Sequence, residues 1–173
     1  MTHCPGPEVP KHIPVLLVHG IFDTSRTMEG LYRSLRRFGW TGVQAMDLVP
    51  NDASAPLEDL ARELGERAEE ICRAEKADRL DIVGFSMGGL VARYYVKFLG
   101  GRERVERLVT ISSPHHGTQL AHLSPGPGAR EMRPGSAFLK KLNAGEEAPE
   151  PVRYTSIWTP LDLMIVPPES SRL

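Results

Sequence analysis

The sequence is poor in cysteine and has no excess of charge of either sign. Its two cysteines, Cys4 and Cys72, are too few for a disulfide framework, and both are predicted to be free thiols. The net charge is -1, and basic and acidic residues are mixed along the chain. This balance argues against a nucleic-acid-binding or anionic-membrane-binding surface. The length of 173 residues suits one domain with a sizeable hydrophobic core.

The sequence also lacks long hydrophobic runs. None approaches the length of a membrane-spanning helix, and the first seven residues contain no apolar segment of the kind found in signal peptides. We therefore expect no transmembrane segment and, by default, a cytoplasmic protein, with an exported parent protein as the alternative. Residues 1–12 are rich in proline and are predicted to be a flexible lead-in to a domain that covers residues 13–173.

The most informative stretch is residues 80–91. A short apolar run ends at Gly84, Ser86 stands between two glycines, and an apolar helical pattern begins at once. Gly84, Ser86 and Gly88 form a G-x-S-x-G motif between a predicted strand and a predicted helix, as in a nucleophile elbow. The serine must stand there on a tight turn in which flanking side chains would collide. The pattern predicts a catalytic nucleophile, and a glycine-rich turn with an idle serine is the alternative.

The remainder of the chain alternates between short apolar runs, which predict buried parallel strands, and amphipathic segments, which predict helices. The predicted strands cover residues 13–18, 42–48, 80–84, 105–112 and 152–158, and the predicted helices cover 28–38, 57–71, 87–99 and 136–143. Ser54 is expected to cap the second helix, and residues 119–135 are expected to be a loop. This order predicts an α/β fold with one parallel sheet and helices on both faces.

Residues suited to ester cleavage follow the strands, at the sheet edge where such folds bind ligands. The backbone N–H groups of Met87, directly after the serine, and Ile21, after the first strand, are predicted to form an oxyanion hole. Asp162 follows the fifth strand and comes after Ser86 in the chain. We therefore predict that it is the acid that orients the base, and an ordinary turn aspartate is the alternative.

The general base is not found, because no histidine follows Asp162. His115 and His116 are weak candidates, since they lie near the expected edge of the sheet but precede the acid. His19 is interpreted as a structural residue whose ring hydrogen-bonds to the adjoining loop. His115, His116 and His122 have no carboxylate or cysteine partners at ligand spacing, so no metal site is predicted. The chemistry needs no cofactor.

These motifs resemble those of the bacterial lipase and esterase branch of the α/β-hydrolase superfamily. The similar stretches are residues 18–21, 84–89, 110–118 and 154–158, the last of which leads to Asp162. The resemblance covers almost all of the chain from residue 13 on. It implies an α/β-hydrolase fold and hydrolysis of carboxylic esters of lipids. It also implies Ser86 as the nucleophile, Asp162 as the acid, and Ile21 and Met87 as the oxyanion donors.

The chain departs from this family after Asp162. Family members continue through one more strand, a loop that carries the catalytic histidine, and a final helix. We therefore expect an α/β-hydrolase domain that is incomplete at its C-terminus, with activity reduced by the missing base. The alternatives are a thioesterase or acyltransferase that uses the same elbow, and a non-catalytic relative that binds lipid or a partner protein. The sequence leaves the oligomeric state open.

Overall fold

A computed structural model describes residues 13–173, and the predicted lead-in at residues 1–12 lies outside the described residues. Within residues 13–173, five strands form one sheet in the order β2-β1-β3-β4-β5, and all neighbouring pairs are parallel. This confirms the predicted α/β class with a parallel sheet. The strands are β1 (Val15–Val18), β2 (Val43–Met46), β3 (Leu80–Phe85), β4 (Val105–Ile111) and β5 (Arg153–Ile157).

Helices connect the strands and pack on the sheet. The α-helices are α1 (Glu29–Arg37), α2 (Leu57–Glu75), α3 (Met87–Phe98), α4 (Gly101–Arg104), α5 (Pro127–Glu131) and α6 (Ala137–Asn143), and short 3-10 helices cover Ser25–Met28, Gln119–Leu123 and Pro168–Ser171. The expectation of a loop over residues 119–135 was therefore wrong. Pro127, which opens α5, has a backbone angle already suited to the first helical turn. Within the described part of the chain, no helix is both long and apolar enough to span a membrane.

The core consists of two layers because successive side chains of a strand point to opposite faces of the sheet. In β1, Leu16 and Val18 join the larger apolar cluster, to which α2 and α3 contribute. Val15 and Leu17 join a smaller cluster on the other face, together with the apolar side of α1. The predicted helices on both faces are therefore confirmed.

The face of the sheet that packs against α1 is less well covered at β4 and β5. Val109 and Ile111 of β4 are only half-buried, and Ile157 of β5 is 50% exposed. β5 is an edge strand of the sheet. An apolar strip of the sheet thus faces solvent as far as the described residues extend.

The start of α2 differs from the sequence-based expectation. Pro56 occupies the N-cap position, and Ser54 makes no capping hydrogen bond. The N–H of Leu57 instead donates to the carboxylate of Glu131, in α5, at 2.6 Å. Burial raises the pKa of this Glu131 carboxyl. The helix begins too late for Ser54 to reach it, and the contact with Glu131 ties α5 to α2.

Candidate active site

Ser86 lies on a sharp turn between β3 and α3. Its backbone angles are φ 51° and ψ -119°, a positive-φ conformation that residues with a side chain rarely adopt. The N–H of Ser86 donates to the carbonyl of Ile111 at 2.8 Å, and its carbonyl accepts from the N–H of Gly89 at 3.1 Å. The strained turn is therefore held by hydrogen bonds on both sides of the serine.

The two glycines of the motif sit where the backbone of neighbouring elements comes very close. A Cβ atom on Gly84 would lie 2.7 Å from the Cα of Gly89, and a Cβ on Gly88 would lie 2.5 Å from the carbonyl oxygen of His19. Both obstacles are backbone atoms, which cannot rotate away as a side chain can. Glycine is thus required at both positions for α3 to start directly behind the serine.

Two backbone N–H groups beside Ser86 have no acceptor among the described residues, those of Met87 and Ile21. Met87 is the first residue of α3, whose N-terminal end carries a partial positive charge. Ile21 lines the same cavities as Ser86. A Cβ on the preceding Gly20 would lie only 3.0 Å from the Cβ of Ser86, which shows how closely this loop approaches the serine. Both predicted oxyanion donors are therefore available near Ser86.

The loop that carries Ile21 is held by Asn51, a residue that the sequence patterns did not single out. The carbonyl of Asn51 accepts from the N–H of Phe22 at 2.7 Å, and its side-chain amide donates to the carbonyl of Asp23 at 2.7 Å. These bonds join the loop after β1 to the loop after β2. No local motif marks Asn51, because its partners lie 28 or more residues earlier in the chain.

Asp162 lies in a turn after β5 and is half-buried. One carboxylate oxygen, Oδ1, accepts from the N–H groups of Met164 at 2.8 Å and Ile165 at 3.0 Å. No described residue donates to the second oxygen, Oδ2. Asp162 and Ser86 both line one cavity of about 230 Å³. The structure thus brings the predicted nucleophile and the predicted acid to the same cavity.

Thr118 fixes the segment after Asp162. Its hydroxyl donates to the carbonyl of Met164 at 2.9 Å and accepts from the N–H of Val166 at 3.0 Å. The N–H of Gln119 donates to the carbonyl of Val166 at 2.9 Å. The loop after β4 and the loop that carries Asp162 are therefore joined across 46 or more positions of sequence. Thr118 was another residue that sequence reasoning missed.

His19 is completely buried and has both ring nitrogens engaged. Nδ1 donates to the carbonyl of Gly20 at 2.7 Å, and Nε2 accepts from the N–H of Leu48 at 2.9 Å. Because each partner can play only one role, the ring is neutral with its proton on Nδ1. This agrees with the structural interpretation of His19.

His115, the first weak candidate for the base, is also fully buried. Its Nδ1 lies 3.2 Å from the guanidinium of Arg93, which can only donate, so Nε2 donates to the hydroxyl of Thr110 at 2.9 Å. Burial, and secondly the nearby charge of Arg93, hold the pKa of His115 well below its usual value. Burial also lowers the pKa of Arg93 to about 10. The ring is therefore a neutral structural group.

His116, the second candidate, is exposed. Its Nδ1 is 3.3 Å from the side-chain amide of Asn143, and its Nε2 is 3.9 Å from the carboxylate of Glu147. None of the histidines in residues 13–173 lines either of the cavities beside Ser86. Within the same residues, no group of three or more histidine, cysteine or acidic side chains could hold a metal ion.

A second cavity beside Ser86, of about 250 Å³, is almost entirely apolar. Its walls come from the loop after β1, from the segment 114–124, from α5 and from the loop that carries Asp162. They include Ile21, Phe22, Pro114, Leu120, Ala121, Leu123, Ala129, Met132 and Met164. Ser86 thus lines both the apolar cavity and the cavity that it shares with Asp162.

A parallel sheet with a strained serine between strand and helix, and an aspartate after a later strand that lines the same cavity, defines the protein as an α/β-hydrolase. Comparison with known proteins narrows this class. The family model described as palmitoyl protein thioesterase matches residues 14–158. The chain belongs to this family, within the lipase- and esterase-like α/β-hydrolases.

Individual relatives agree with this assignment. A triacylglycerol lipase of Pseudomonas fragi is 28% identical over 152 residues, which cover 79% of this chain and 50% of the lipase. The mature lipase BlEst2 of Bacillus licheniformis has a TM-score of 0.68 at 22% identity, covering 80% of this chain and 61% of that structure. Lipase B of Aspergillus fumigatus has a TM-score of 0.79 at 20% identity, covering 95% of this chain and 42% of that structure. The chain thus spans about half the length of the curated relative.

Proposed function

We propose that this protein is a serine hydrolase that cleaves carboxylic esters of lipids through an acyl-enzyme on Ser86. One observation carries the proposal. Ser86 and Asp162 line the same cavity, while the N–H groups of Ile21 and Met87 point to no acceptor among the described residues. A nucleophile, an orienting acid and two oxyanion donors are the groups that acyl transfer to serine requires.

In this mechanism the hydroxyl oxygen of Ser86 attacks the acyl carbonyl while the base removes its proton. The N–H groups of Ile21 and Met87 donate hydrogen bonds to the oxyanion of the tetrahedral intermediate. The intermediate collapses, the base returns the proton to the leaving alcohol, and the acyl group stays on Ser86. Water then attacks this ester in the same way and releases the fatty acid, which regenerates the serine. Asp162 orients the base through Oδ2, its unengaged oxygen.

We further propose that the base is a histidine supplied from outside residues 13–173. The histidines within these residues line neither cavity beside Ser86, and the rings of His19 and His115 are engaged in structural hydrogen bonds. The half-covered apolar strip at Val109, Ile111 and Ile157 supports the same proposal, because a further chain segment packed there would complete the layer on this face.

A thioesterase is the second candidate, favoured by the description of the matching family model. The same serine, acid and oxyanion donors act on thioesters and on oxygen esters, so the site itself does not separate them. Hydrolysis rates of ethyl octanoate and of its S-ethyl thioester, which differ only in the oxygen or sulfur of the leaving group, separate the two candidates. A higher kcat/KM for the oxygen ester supports the lipase and esterase proposal, and a higher value for the thioester supports the second candidate.

Labelling with a fluorophosphonate probe tests the nucleophile. We expect phosphonylation at Ser86, located by peptide mass spectrometry, and no labelling of the Ser86→Ala variant. Ser112 lines the same cavity, so the Ser112→Ala variant is the matched control and should be labelled as before. If the chain is not labelled even when it is joined to a downstream segment that carries a histidine, the hydrolase proposal is refuted and a non-catalytic binding role is supported.

A further inference from the structure

The apolar cavity beside Ser86 has both exposed and buried lining residues. Phe22, Leu123 and Met164 line it and are exposed to solvent. Ala121 and Ala129 also line it and are buried, and we call these two residues its inner wall. A chain attached to Ser86 that enters this cavity would therefore pack against the inner wall.

The volume of the cavity limits the length of such a chain. A cavity of about 150 Å³ in a protein core holds benzene, which has six carbon atoms. In proportion, the cavity of about 250 Å³ beside Ser86 holds a chain of about ten carbon atoms. A palmitoyl chain is considerably longer and would leave its distal part in water.

The inner wall is fixed and cannot move outward to lengthen the cavity. A Cβ atom on Gly128, in α5, would lie 2.6 Å from the carbonyl oxygen of Ala55, and one on Gly126 would collide with the carbonyl of Ala53. The carboxylate of Glu131 binds the first N–H of α2 at 2.6 Å. Helix α5, which carries Ala129, is therefore pressed against the loop before α2 and tied to that helix.

We infer that this cavity is the acyl site for medium chains of up to about ten carbon atoms, and that Ala121 and Ala129 set the limit. The inference rests on the proposed function, because it takes Ser86 as the point where the acyl group is attached. It assigns the protein a shorter optimal substrate than the description of its family model suggests. Small side chains at both positions leave the space beside the inner wall free, and larger ones would fill it.

A series of n-alkyl fluorophosphonates, from ethyl to hexadecyl and below micelle-forming concentrations, measures the limit. The readout is the rate of Ser86 phosphonylation, followed by intact-protein mass spectrometry. We expect each added methylene to raise the rate by up to about fourfold until the cavity is full. Beyond about ten carbon atoms the rate should stop rising, so the hexadecyl probe should react no faster than the decyl probe.

Variants of the inner wall test the role of the alanines. Ala129→Leu adds three carbon atoms to the cavity and should shift the optimum to chains about three carbons shorter, with the ethyl probe reacting within about twofold of the unmodified protein. If the Ala129→Leu variant fails to fold, Ala121→Leu is a second, independent way to reduce the volume of the cavity. Ala137 is exposed at the start of α6 and lines neither cavity, so Ala137→Leu is the matched control and should change nothing.

The outcomes separate the inference from the proposed function. If the hexadecyl probe reacts faster than the decyl probe, or if both wall variants slow every probe equally, the chain-length limit is refuted while Ser86 remains the nucleophile. If no probe, including the ethyl one, reacts with Ser86 even when the chain is joined to a downstream segment that carries a histidine, the proposed function and the inference are refuted together.

Discussion

Free imidazole should raise the rate of ester hydrolysis by this chain in a saturable manner. The cavity that Ser86 and Asp162 share has a volume of about 230 Å³, whereas a cavity of about 150 Å³ is enough for benzene. Imidazole is smaller than benzene, so it fits with room to spare. One ring nitrogen can accept the proton of the Ser86 hydroxyl while the other donates to Oδ2 of Asp162.

The expected size of the effect follows from what a base contributes. A positioned general base accelerates acyl transfer by about a hundredfold to ten-thousandfold. Untethered imidazole must first be immobilised, which costs part of this gain. We therefore expect an increase of about tenfold to a hundredfold at saturation, with Ser86 and the oxyanion donors unchanged.

The assay measures release of p-nitrophenol from p-nitrophenyl butyrate at increasing imidazole concentrations. Imidazole also hydrolyses this ester in solution, so the Ser86→Ala variant with the same additions serves as the blank. N-methylimidazole is the matched control, because it can accept the serine proton but has no N–H to donate to Asp162. It should give at most about a tenth of the increase, and the Asp162→Asn variant should weaken the response to imidazole itself.

A rate that rises linearly with imidazole and equals that of the Ser86→Ala blank would refute this reasoning. Equal increases with imidazole and N-methylimidazole would refute the role of Asp162 alone. The two results therefore separate an error about the serine from an error about the acid.

Three further predictions concern stability. Gly88→Ala places a Cβ 2.5 Å from the carbonyl of His19 and should lower the free energy of unfolding by about 1–3 kcal/mol, measured by urea denaturation. Gly30→Ala, with open space around its Cβ in α1, should stabilise by up to about 1 kcal/mol. Because the pKa of His115 is lowered in the folded protein, the His115 ring takes up a proton in the unfolded chain before it does so in the folded protein, as the pH falls below about 6.5. For each pH unit below that value, the free energy of unfolding should therefore fall by about 1.4 kcal/mol more in the unmodified protein than in the His115→Gln variant. The His122→Gln variant is the control and should keep this difference from His115→Gln.

Opposite outcomes would contradict these predictions. If the Gly88→Ala and Gly30→Ala variants had the same free energy of unfolding, the added Cβ at residue 88 would have been accommodated. This would mean that α3 can shift away from β1 at no cost. A His115→Gln variant with an unchanged pH dependence would mean that the ring takes up its proton in the folded protein as readily as in the unfolded chain.

The elements with strong local patterns were predictable from the sequence. Alternating apolar runs and amphipathic segments gave the strands and the main helices, because burial on one or both faces imposes a periodicity on the sequence. The elbow at Ser86 was predictable because its sharp turn excludes side chains at Gly84 and Gly88. Asp162 could be proposed as the acid because the carboxyl ends of parallel strands lie at the same edge of the sheet.

Features that depend on distant partners were not predictable. Glu131 binds the N–H of Leu57 across 74 positions, so local capping rules pointed to Ser54 instead. Asn51 and Thr118 hold the loops that carry Ile21 and Asp162 through contacts that leave no periodic trace in the sequence. The volumes of the cavities could not be predicted from the sequence either, because the walls of the cavities come from segments far apart in the chain.

The most direct test of the proposed chemistry is the mass of the protein after reaction with p-nitrophenyl octanoate. Loss of the base slows both acylation and deacylation, but p-nitrophenolate leaves without taking up a proton, whereas hydrolysis of the serine ester needs the base for both the water and the leaving serine. Acylation is therefore slowed less than deacylation, and the octanoyl-enzyme should accumulate. We predict one octanoyl adduct on the peptide that contains Ser86, a burst of p-nitrophenol, and neither in Ser86→Ala. An adduct elsewhere in the chain, or equal p-nitrophenol release by both proteins, would contradict the assignment of Ser86 as the nucleophile.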